Sequence, residues 1–225
     1  QHTLSHSKCT NCGHCVETCW FDAVKMVGKE MDVDAVMDIV ERDRRYYENS
    51  GGGMTLSGGD PLFQDSFSYT LLKRAKESGI HTCIETAGFV NRNILEQVIP
   101  FVDLFLYDYK ISDSELHRQF TGVNNDKILA NLEFLNKCNS NVILRCPIIP
   151  GINSDEKHFA NIAALSKRYK NIRGVEVMPY HDFGKLKYEQ TGRKYEITVK
   201  PPSFNDTEIW IKRIQSMGCE NAKKG

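Results

Sequence analysis

The sequence predicts an α/β fold built on a parallel sheet, because short β-branched or aromatic runs alternate with longer amphipathic segments from Val33 onward. A chain of 225 residues with 40% hydrophobic content is long enough to bury one full core beside a small appendage. No internal repeat or low-complexity linker divides it. These observations predict one α/β domain, residues 31–225, preceded by a cysteine-rich segment, residues 1–30.

The N-terminal segment contains Cys9, Cys12, Cys15 and Cys19 in a C-x2-C-x2-C-x3-C run. Bacterial ferredoxins use this spacing to hold an iron-sulfur cluster, and in two-cluster ferredoxins the fourth cysteine ligates the other cluster. Structural zinc is the alternative, although zinc sites usually take two separated cysteine pairs. The run therefore predicts a ferredoxin-like [4Fe-4S] segment, and whether Cys19 shares a cluster with the other three cysteines stays open.

The remaining elements follow in chain order. Apolar residues recur at helical spacing from Val33 to Tyr47, and the glycines at 51–53 end that helix before a strand at Met54–Leu56. Four further β-rich runs predict strands at His81–Thr86, Leu104–Tyr109, Asn141–Cys146 and Gly174–Met178. Amphipathic runs predict helices near Phe67–Ser78, Arg92–Ile99, Asp113–Phe120, Lys127–Asn136, Asp155–Tyr169 and Asp206–Met217.

Polar residues follow the predicted strands at the ends where parallel α/β folds bind ligands. The segments are Ser57–Pro61, Glu85–Gly88, Asp108–Lys110, Arg145 and Pro179–His181. Each segment alone has an ordinary structural explanation, such as a tight turn or a surface ion pair. Together they combine glycine backbone, carboxylates for an ammonium group and basic side chains for a carboxylate. This combination predicts a receptor for a zwitterion.

Charge and composition exclude several classes of protein. Lys and Arg total 29 and Asp and Glu total 29, so no net charge favours nucleic acid or an anionic membrane surface. No apolar run approaches the roughly twenty residues that cross a bilayer, and the N-terminus lacks the apolar core of a signal peptide. The other four cysteines stand alone, as reduced thiols do. We therefore expect a cytoplasmic protein with neither a nucleic acid nor a membrane as its partner.

The motifs, taken together, resemble those of the glycyl-radical-enzyme activating enzymes of the radical S-adenosylmethionine (radical SAM) superfamily, such as pyruvate formate-lyase activating enzyme. The similar segments are T-L-S-G-G-D-P, I-E-T-A-G, Y-D-Y-K, R-C-P-I-I-P-G, M-P-Y-H-D-F-G-K-L-K-Y and V-K-P-P, spread from Gly51 to Pro202. The resemblance implies a partial parallel (β/α) barrel. The cysteine-rich insertion resembles the auxiliary-cluster segments of the larger family members.

The resemblance also implies roles for individual residues in binding S-adenosylmethionine. Gly58 and Gly59 are expected at its amino group, together with Asp60 and Glu85. Asp108, Tyr109 and Lys110 are expected along its ribose and carboxylate. Arg145 is expected to supply positive charge nearby, and His181 to lie beside the ribose and adenine. Asp60 replaces the commoner Glu of the motif, and Trp20 replaces the proline usual after the fourth cysteine.

One family feature has no counterpart in this sequence. The family's C-x3-C-x2-C loop, which holds the cluster that reduces S-adenosylmethionine, occurs nowhere in these residues. Because the family places that loop after its first barrel strand, we expect that strand and the catalytic cluster loop to lie upstream, in a longer protein. The strand at Met54–Leu56 is then expected at an edge of the sheet.

The resemblance implies activation of a glycyl radical enzyme by reductive cleavage of S-adenosylmethionine and hydrogen abstraction from a backbone glycine of that partner. The chain as printed is expected to be inactive alone. A low-potential electron donor such as flavodoxin or ferredoxin is implied as a second partner. The alternatives are a ferredoxin-like electron-transfer module and a zinc-stabilised binding module on a degenerate α/β scaffold.

Overall fold

The computed structural model describes residues 5–225, in which six parallel strands form one sheet in the order β1-β2-β3-β4-β5-β6. The strands are β1 (Gly53–Leu56), β2 (His81–Thr86), β3 (Leu104–Asp108), β4 (Val142–Ile148), β5 (Ile172–Pro179) and β6 (Ala222–Lys224). Each strand is hydrogen-bonded to the next along the chain, which is the arrangement that right-handed βαβ crossovers produce. The α/β prediction is confirmed.

Ten α-helices accompany the strands in residues 5–225. They are α1 (His14–Glu17), α2 (Val33–Arg42), α3 (Arg44–Ser50), α4 (Asp65–Glu77), α5 (Arg92–Val98), α6 (Ser114–Thr121), α7 (Asp126–Lys137), α8 (Glu156–Arg168), α9 (Lys185–Gln190) and α10 (Phe204–Ser216). Short 3-10 turns lie at His6–Lys8, Pro61–Gln64 and Ile99–Phe101. None of the helices in this part of the chain has the length and apolar composition needed to span a bilayer.

The sequence-based prediction was wrong on three elements. It expected five strands, whereas β6 adds a sixth by pairing with β5, with Val175 opposite Ala222. Two of the three β6 residues are lysines, so no β-rich run identified it. It expected one helix up to Tyr47, but Asp43 leaves helical geometry at φ −95° and ψ 8° and separates α2 from α3. It also missed α9, a single short helix after β5.

Aspartate side chains start three of the helices. Asp32, Asp113 and Asp155 each precede a helix, and one carboxylate oxygen of each accepts a hydrogen bond from a backbone N–H three residues later. These bonds satisfy donors that have no partner inside the helix, and they stabilise the helix start by about 1 kcal/mol each. The caps of α6 and α8 also determine where each loop after β3 and β4 ends.

The sheet has two unlike faces, and this difference positions the site. On one face Tyr107, Leu144 and Val177 are fully buried beneath helices that include α4, α7, α8 and α10. On the opposite face, which we call the inner face, most of the alternate residues are only half-buried, and they include Glu85 and Arg145. Because successive side chains of a strand alternate between faces, this division follows from the strand sequences. The inner face therefore carries charge where the other face carries the core.

Candidate functional site

A cleft of about 380 Å³ at the carboxyl ends of β2 and β3 brings five of the predicted binding residues together. They are Gly59, Asp60, Glu85, Asp108 and Lys110. The strand register explains why Glu85 and Asp108 are close. Glu85 lies opposite Leu106, and Asp108 lies two residues further along β3 on the same face. The cleft is the size of an ordinary small-molecule site.

The turn after β1 depends on glycine. Gly58 and Gly59 have φ angles of 95° and 92°, a conformation that side chains strongly disfavour. Both residues line a second cavity of about 380 Å³, and Gly59 lines the first as well. A Cβ placed on either glycine would meet no atom within 4 Å. The turn therefore needs glycine for its backbone conformation, and it leaves the backbone open to a close-approaching ligand.

Asp60 has a structural role that the sequence did not suggest. Its Oδ2 accepts hydrogen bonds from the Thr86 hydroxyl at 2.8 Å and the Ala87 N–H at 3.0 Å. Its Oδ1 accepts from the Leu62 N–H at 3.1 Å. Oδ2 thus joins the segment after β1 to the end of β2, and Oδ1 caps the 3-10 turn Pro61–Gln64. Asp60 has a shorter side chain than the Glu that is commoner in the family motif, and the shorter side chain suits these hydrogen bonds.

The charged groups of the inner face pair with one another across strands. Glu85 forms an ion pair with Arg145 and accepts a hydrogen bond from the Ser57 hydroxyl at 2.8 Å. The Lys110 ammonium lies 3.6 Å from the Asp108 carboxylate. Arg145 does not line the cleft, but it is 83% buried, and its Nε has no hydrogen-bond partner within residues 5–225. A buried donor without a partner is unusual in folded proteins.

Sequence reasoning missed two members of this charged row. Asp108, Arg145, Glu176 and Lys223 lie opposite one another on four consecutive strands and alternate in sign. Glu176 is 81% buried, and its carboxylate lies 3.7 Å from the Lys223 ammonium. A carboxylate in the middle of the apolar run Gly174–Met178 is the signal that identifies Glu176. Nothing in the sequence identifies Lys223, because β6 itself was not predicted.

Burial raises the pKa of Asp108 above its ordinary value, and the nearby Lys110 and Arg145 charges only partly oppose that rise. A carboxylate with a raised folded-state pKa destabilises the fold when it is ionised, and the penalty is relieved as the pH falls through that pKa. At neutral pH the ionised Asp108 is therefore a cost to folding, as is common for residues that serve a ligand.

We expect Asp108→Asn to retain or increase the free energy of unfolding at pH 7. The difference in free energy of unfolding between variant and parent should decrease as the pH falls. It should vanish below pH 3.8, the ordinary pKa of an Asp carboxyl group. Urea unfolding measured across this range checks the sign. Asp113→Asn is the control with the opposite sign, because the Leu116 N–H and Lys157 hold the Asp113 pKa low. A large loss of stability at pH 7 for Asp108→Asn would contradict the assignment.

Besides Gly58 and Arg145, two further predicted residues do not line the cleft. Tyr109 points to the core side of β3, where it is 3% exposed and its ring stacks on His158 with centroids 5.6 Å apart. The alternation along β3 explains this, because Asp108 and Lys110 occupy the inner face and the residue between them cannot. His181 is exposed after β5, with its ring 4.6 Å from that of Phe183.

The four N-terminal cysteines are presented at the surface. Cys9, Cys12 and Cys15 are exposed and Cys19 is half-exposed. A backbone N–H from His14 lowers the pKa of the Cys12 thiol, and backbone N–H groups of Phe21, Val24 and Ala23 lower that of Cys19. Among residues 5–225 no three potential ligands are gathered for a metal ion. The thiols have the chemistry of cluster ligands, but the structure does not assemble them.

The donor set of the inner face fits a zwitterionic sulfonium ligand. A carboxylate at Glu85, an ammonium at Lys110 and open glycine backbone at residues 58–59 surround one cleft region. Such groups match an amino-acid tail by charge. The four soft thiolates likewise fit iron and sulfide better than hard cations.

A larger groove of about 830 Å³ lies between α6 and α8, away from the inner face. Four of its charged side chains form ion pairs, Lys157 with Asp113 at 3.0 Å and Arg118 with Glu115 at 2.6 Å, and Asp155 caps α8. No predicted binding residue lines it. The smaller cleft is therefore the better candidate for the site.

Comparison with known proteins agrees with the geometry. Residues 10–163 match the family model described as the radical SAM superfamily. The chain is 37% identical over 190 residues to the choline trimethylamine-lyase activating enzyme of Oleidesulfovibrio alaskensis, covering 83% of this chain and 61% of that protein. It is 39% identical over 208 residues to the trans-4-hydroxy-L-proline dehydratase activating enzyme of Clostridioides difficile, covering 91% and 68%.

A solved structure shares the fold. A domain of the pyruvate-formate lyase-activating enzyme from Bacteroides vulgatus superimposes with a TM-score of 0.65 and 27% identity, covering 77% of this chain and 99% of that one. The chain spans 61% and 62% of the length of two curated relatives that it matches. These relatives are named as activating enzymes for a choline trimethylamine-lyase, a (2S)-3-sulfopropanediol dehydratase and a trans-4-hydroxy-L-proline dehydratase.

Proposed function

Because the chain belongs to the radical SAM superfamily and, within it, to the glycyl-radical-enzyme activating enzymes, we propose that its inner-face cleft binds S-adenosylmethionine. In a protein that also supplies the ligands of the catalytic cluster, this binding would serve reductive cleavage of S-adenosylmethionine and hydrogen abstraction from a backbone glycine of a glycyl radical enzyme. The observation that carries the proposal is the meeting of Gly59, Glu85, Asp108 and Lys110 in one cleft.

The proposed roles follow from the contacts. Glu85 is held by the Ser57 hydroxyl and by Arg145, so its carboxylate is oriented before an ammonium group arrives. Lys110, paired with the half-buried Asp108, supplies the positive charge for a carboxylate. Gly58 and Gly59 offer backbone to the amino group, and Asp60 keeps their turn attached to β2. S-adenosylmethionine and a reduced cluster supply the radical chemistry when bound.

The cysteine run is proposed to hold an auxiliary [4Fe-4S] cluster within a segment of residues 1–30. The printed sequence has no C-x3-C-x2-C spacing, so cleavage of S-adenosylmethionine is proposed for a protein that also supplies those ligands. The partners proposed are a glycyl radical enzyme and a low-potential donor such as flavodoxin or ferredoxin, in the cytoplasm. Tyr109 contributes backbone and packing, and His181 is proposed to cover the nucleoside from the loop after β5.

We expect Lys110→Ala to weaken binding of S-adenosylmethionine by about 10- to 100-fold, since a hydrogen bond to a charged group contributes about 1.5 to 3 kcal/mol. Lys157→Ala is the matched control, because Lys157 forms a similar ion pair with Asp113 outside the cleft. Calorimetric titration of both variants, beside thermal melts, checks the effect. Equal affinities for Lys110→Ala and the parent chain would refute the proposed site.

A further inference from the structure

His117 is a wall residue of the binding cleft that no sequence motif identified. It lies on α6, is 3% exposed, and lines the same cleft as Glu85, Asp108 and Lys110. This part of the wall is also lined by Thr121, the last residue of α6, and by Val123, just beyond the helix. Because buried polar atoms are usually hydrogen-bonded, the partner of each ring nitrogen of this imidazole has to be identified.

The contacts of Nδ1 determine the tautomer. Nδ1 lies 2.7 Å from the Val123 carbonyl oxygen, which can only accept, so Nδ1 carries the proton. The Thr121 hydroxyl oxygen lies 2.9 Å from Nδ1. That hydroxyl donates its own proton to the His117 carbonyl at 2.7 Å, which leaves a lone pair for Nδ1–H. The Val123 contact therefore requires the proton on Nδ1, and the Thr121 contact is compatible with it.

In the tautomer with its single proton on Nδ1, Nε2 carries the lone pair and is an acceptor. It lies at the edge of the ring away from the Nδ1 contacts, and no hydrogen bond within residues 5–225 reaches it. An acceptor held in a wall by two hydrogen bonds on its opposite nitrogen is oriented for a donor from the cleft. The charged groups of the cleft suit the charged amino-acid end of a ligand, whereas the lone pair of Nε2 suits a hydroxyl or amino donor.

We propose that His117 is a ligand-binding residue whose Nε2 accepts a hydrogen bond from a hydroxyl or amino group of the adenosine half of S-adenosylmethionine. The inference rests on the proposed function, because it assumes that this cleft is the S-adenosylmethionine site. It assigns His117 two separate tasks. Nδ1 donates the hydrogen bonds that hold the turn at Thr121–Val123, and Nε2 accepts a hydrogen bond from the nucleoside.

Two substitutions separate these tasks. The side-chain amide of Asn places its nitrogen near the position of Nδ1, so His117→Asn retains a donor for the Val123 carbonyl and removes Nε2. The longer amide of Gln reaches the position of Nε2, so His117→Gln restores an acceptor in the cleft and removes the Nδ1 contact. A residue that only holds the turn would suffer more from Gln than from Asn.

The test is a titration of the parent chain and both variants with S-adenosylmethionine and with 5′-methylthioadenosine, which lacks the amino-acid tail. We expect His117→Asn to melt near the parent and to bind both ligands about tenfold more weakly, the loss expected for one hydrogen bond. His117→Gln should melt lower and bind more tightly than His117→Asn. The ¹⁵N resonance of Nε2 in the parent should shift when either ligand is added.

The outcomes distinguish the two proposals. Equal affinity of the parent and His117→Asn for S-adenosylmethionine would overturn the role of Nε2 and leave the cleft assignment standing. Weakened binding of S-adenosylmethionine with unchanged binding of methylthioadenosine would also overturn it, because Nε2 would then face the amino-acid end. Failure of the parent chain to bind either ligand would overturn the proposed function together with this inference.

Discussion

Replacing Cys9 and Cys12 together by alanine is expected to abolish iron binding by anaerobically reconstituted protein. An iron-sulfur cluster is held by several cysteine thiolates, and the loss of two of the four leaves too few ligands. The backbone N–H groups that lower the pKa of Cys12 and Cys19 favour the thiolate form that binds metal. We expect at most one cluster per chain in the parent and none in the variant.

Iron and sulfide analysis with an ultraviolet-visible spectrum is the measurement. Cys138→Ala is the matched control, since Cys138 is also exposed but lies outside the run. The thermal melt of the metal-free protein should not change in the double variant, because Cys9 and Cys12 are both exposed. Unchanged iron content would remove the cluster assignment, and bound zinc without sulfide would establish the zinc alternative instead.

Gly88→Ala is expected to reduce the free energy of unfolding by about 2 to 4 kcal/mol, through overpacking and an unfavourable φ. Gly88 has a φ of 70°, and a Cβ there would overlap the Tyr107 hydroxyl. Tyr107 cannot move aside, because it is fully buried and donates a hydrogen bond to the Ile128 carbonyl at 2.7 Å. The Gly88 carbonyl is held as well, by the Asn131 side chain at 2.8 Å.

Gly122→Ala separates the two causes. Gly122 has a similar φ of 84°, but a Cβ there meets no atom within 4 Å. Gly122→Ala should therefore reduce the free energy of unfolding by only about 1 kcal/mol, from backbone strain alone. Urea unfolding of both variants measures the difference, and equal losses would show that the close packing of Gly88 on Tyr107 does not contribute.

The parallel sheet was predictable because five strands carry β-branched or aromatic runs that are separated by amphipathic helices. β6 was not, since Ala222–Lys224 has neither length nor hydrophobic pattern and depends on the edge of β5 for its conformation. The break at Asp43 was also missed, because the apolar spacing continues across it. Local sequence predicts long elements with a clear apolar pattern, but the conformation of such short segments depends on their tertiary contacts.

The site was predictable in its membership more than in its geometry. Motif order identified Glu85, Asp108 and Lys110, and the register of β2 and β3 brings them together as expected. The motif alone could not show that Tyr109 faces the core, although alternation along β3 contains that information. His117 gives no motif signal at all, because its place in the cleft depends on how α6 lies across the strand ends.

The most direct test of the central claim is a crystal structure of the chain soaked with S-adenosylmethionine under anaerobic conditions. The account predicts density for the ligand's amino-acid end between the Gly58–Gly59 turn, Glu85 and Lys110, with the adenosine half within hydrogen-bond distance of His117. Ligand density in the groove between α6 and α8, with an empty inner-face cleft, would contradict it.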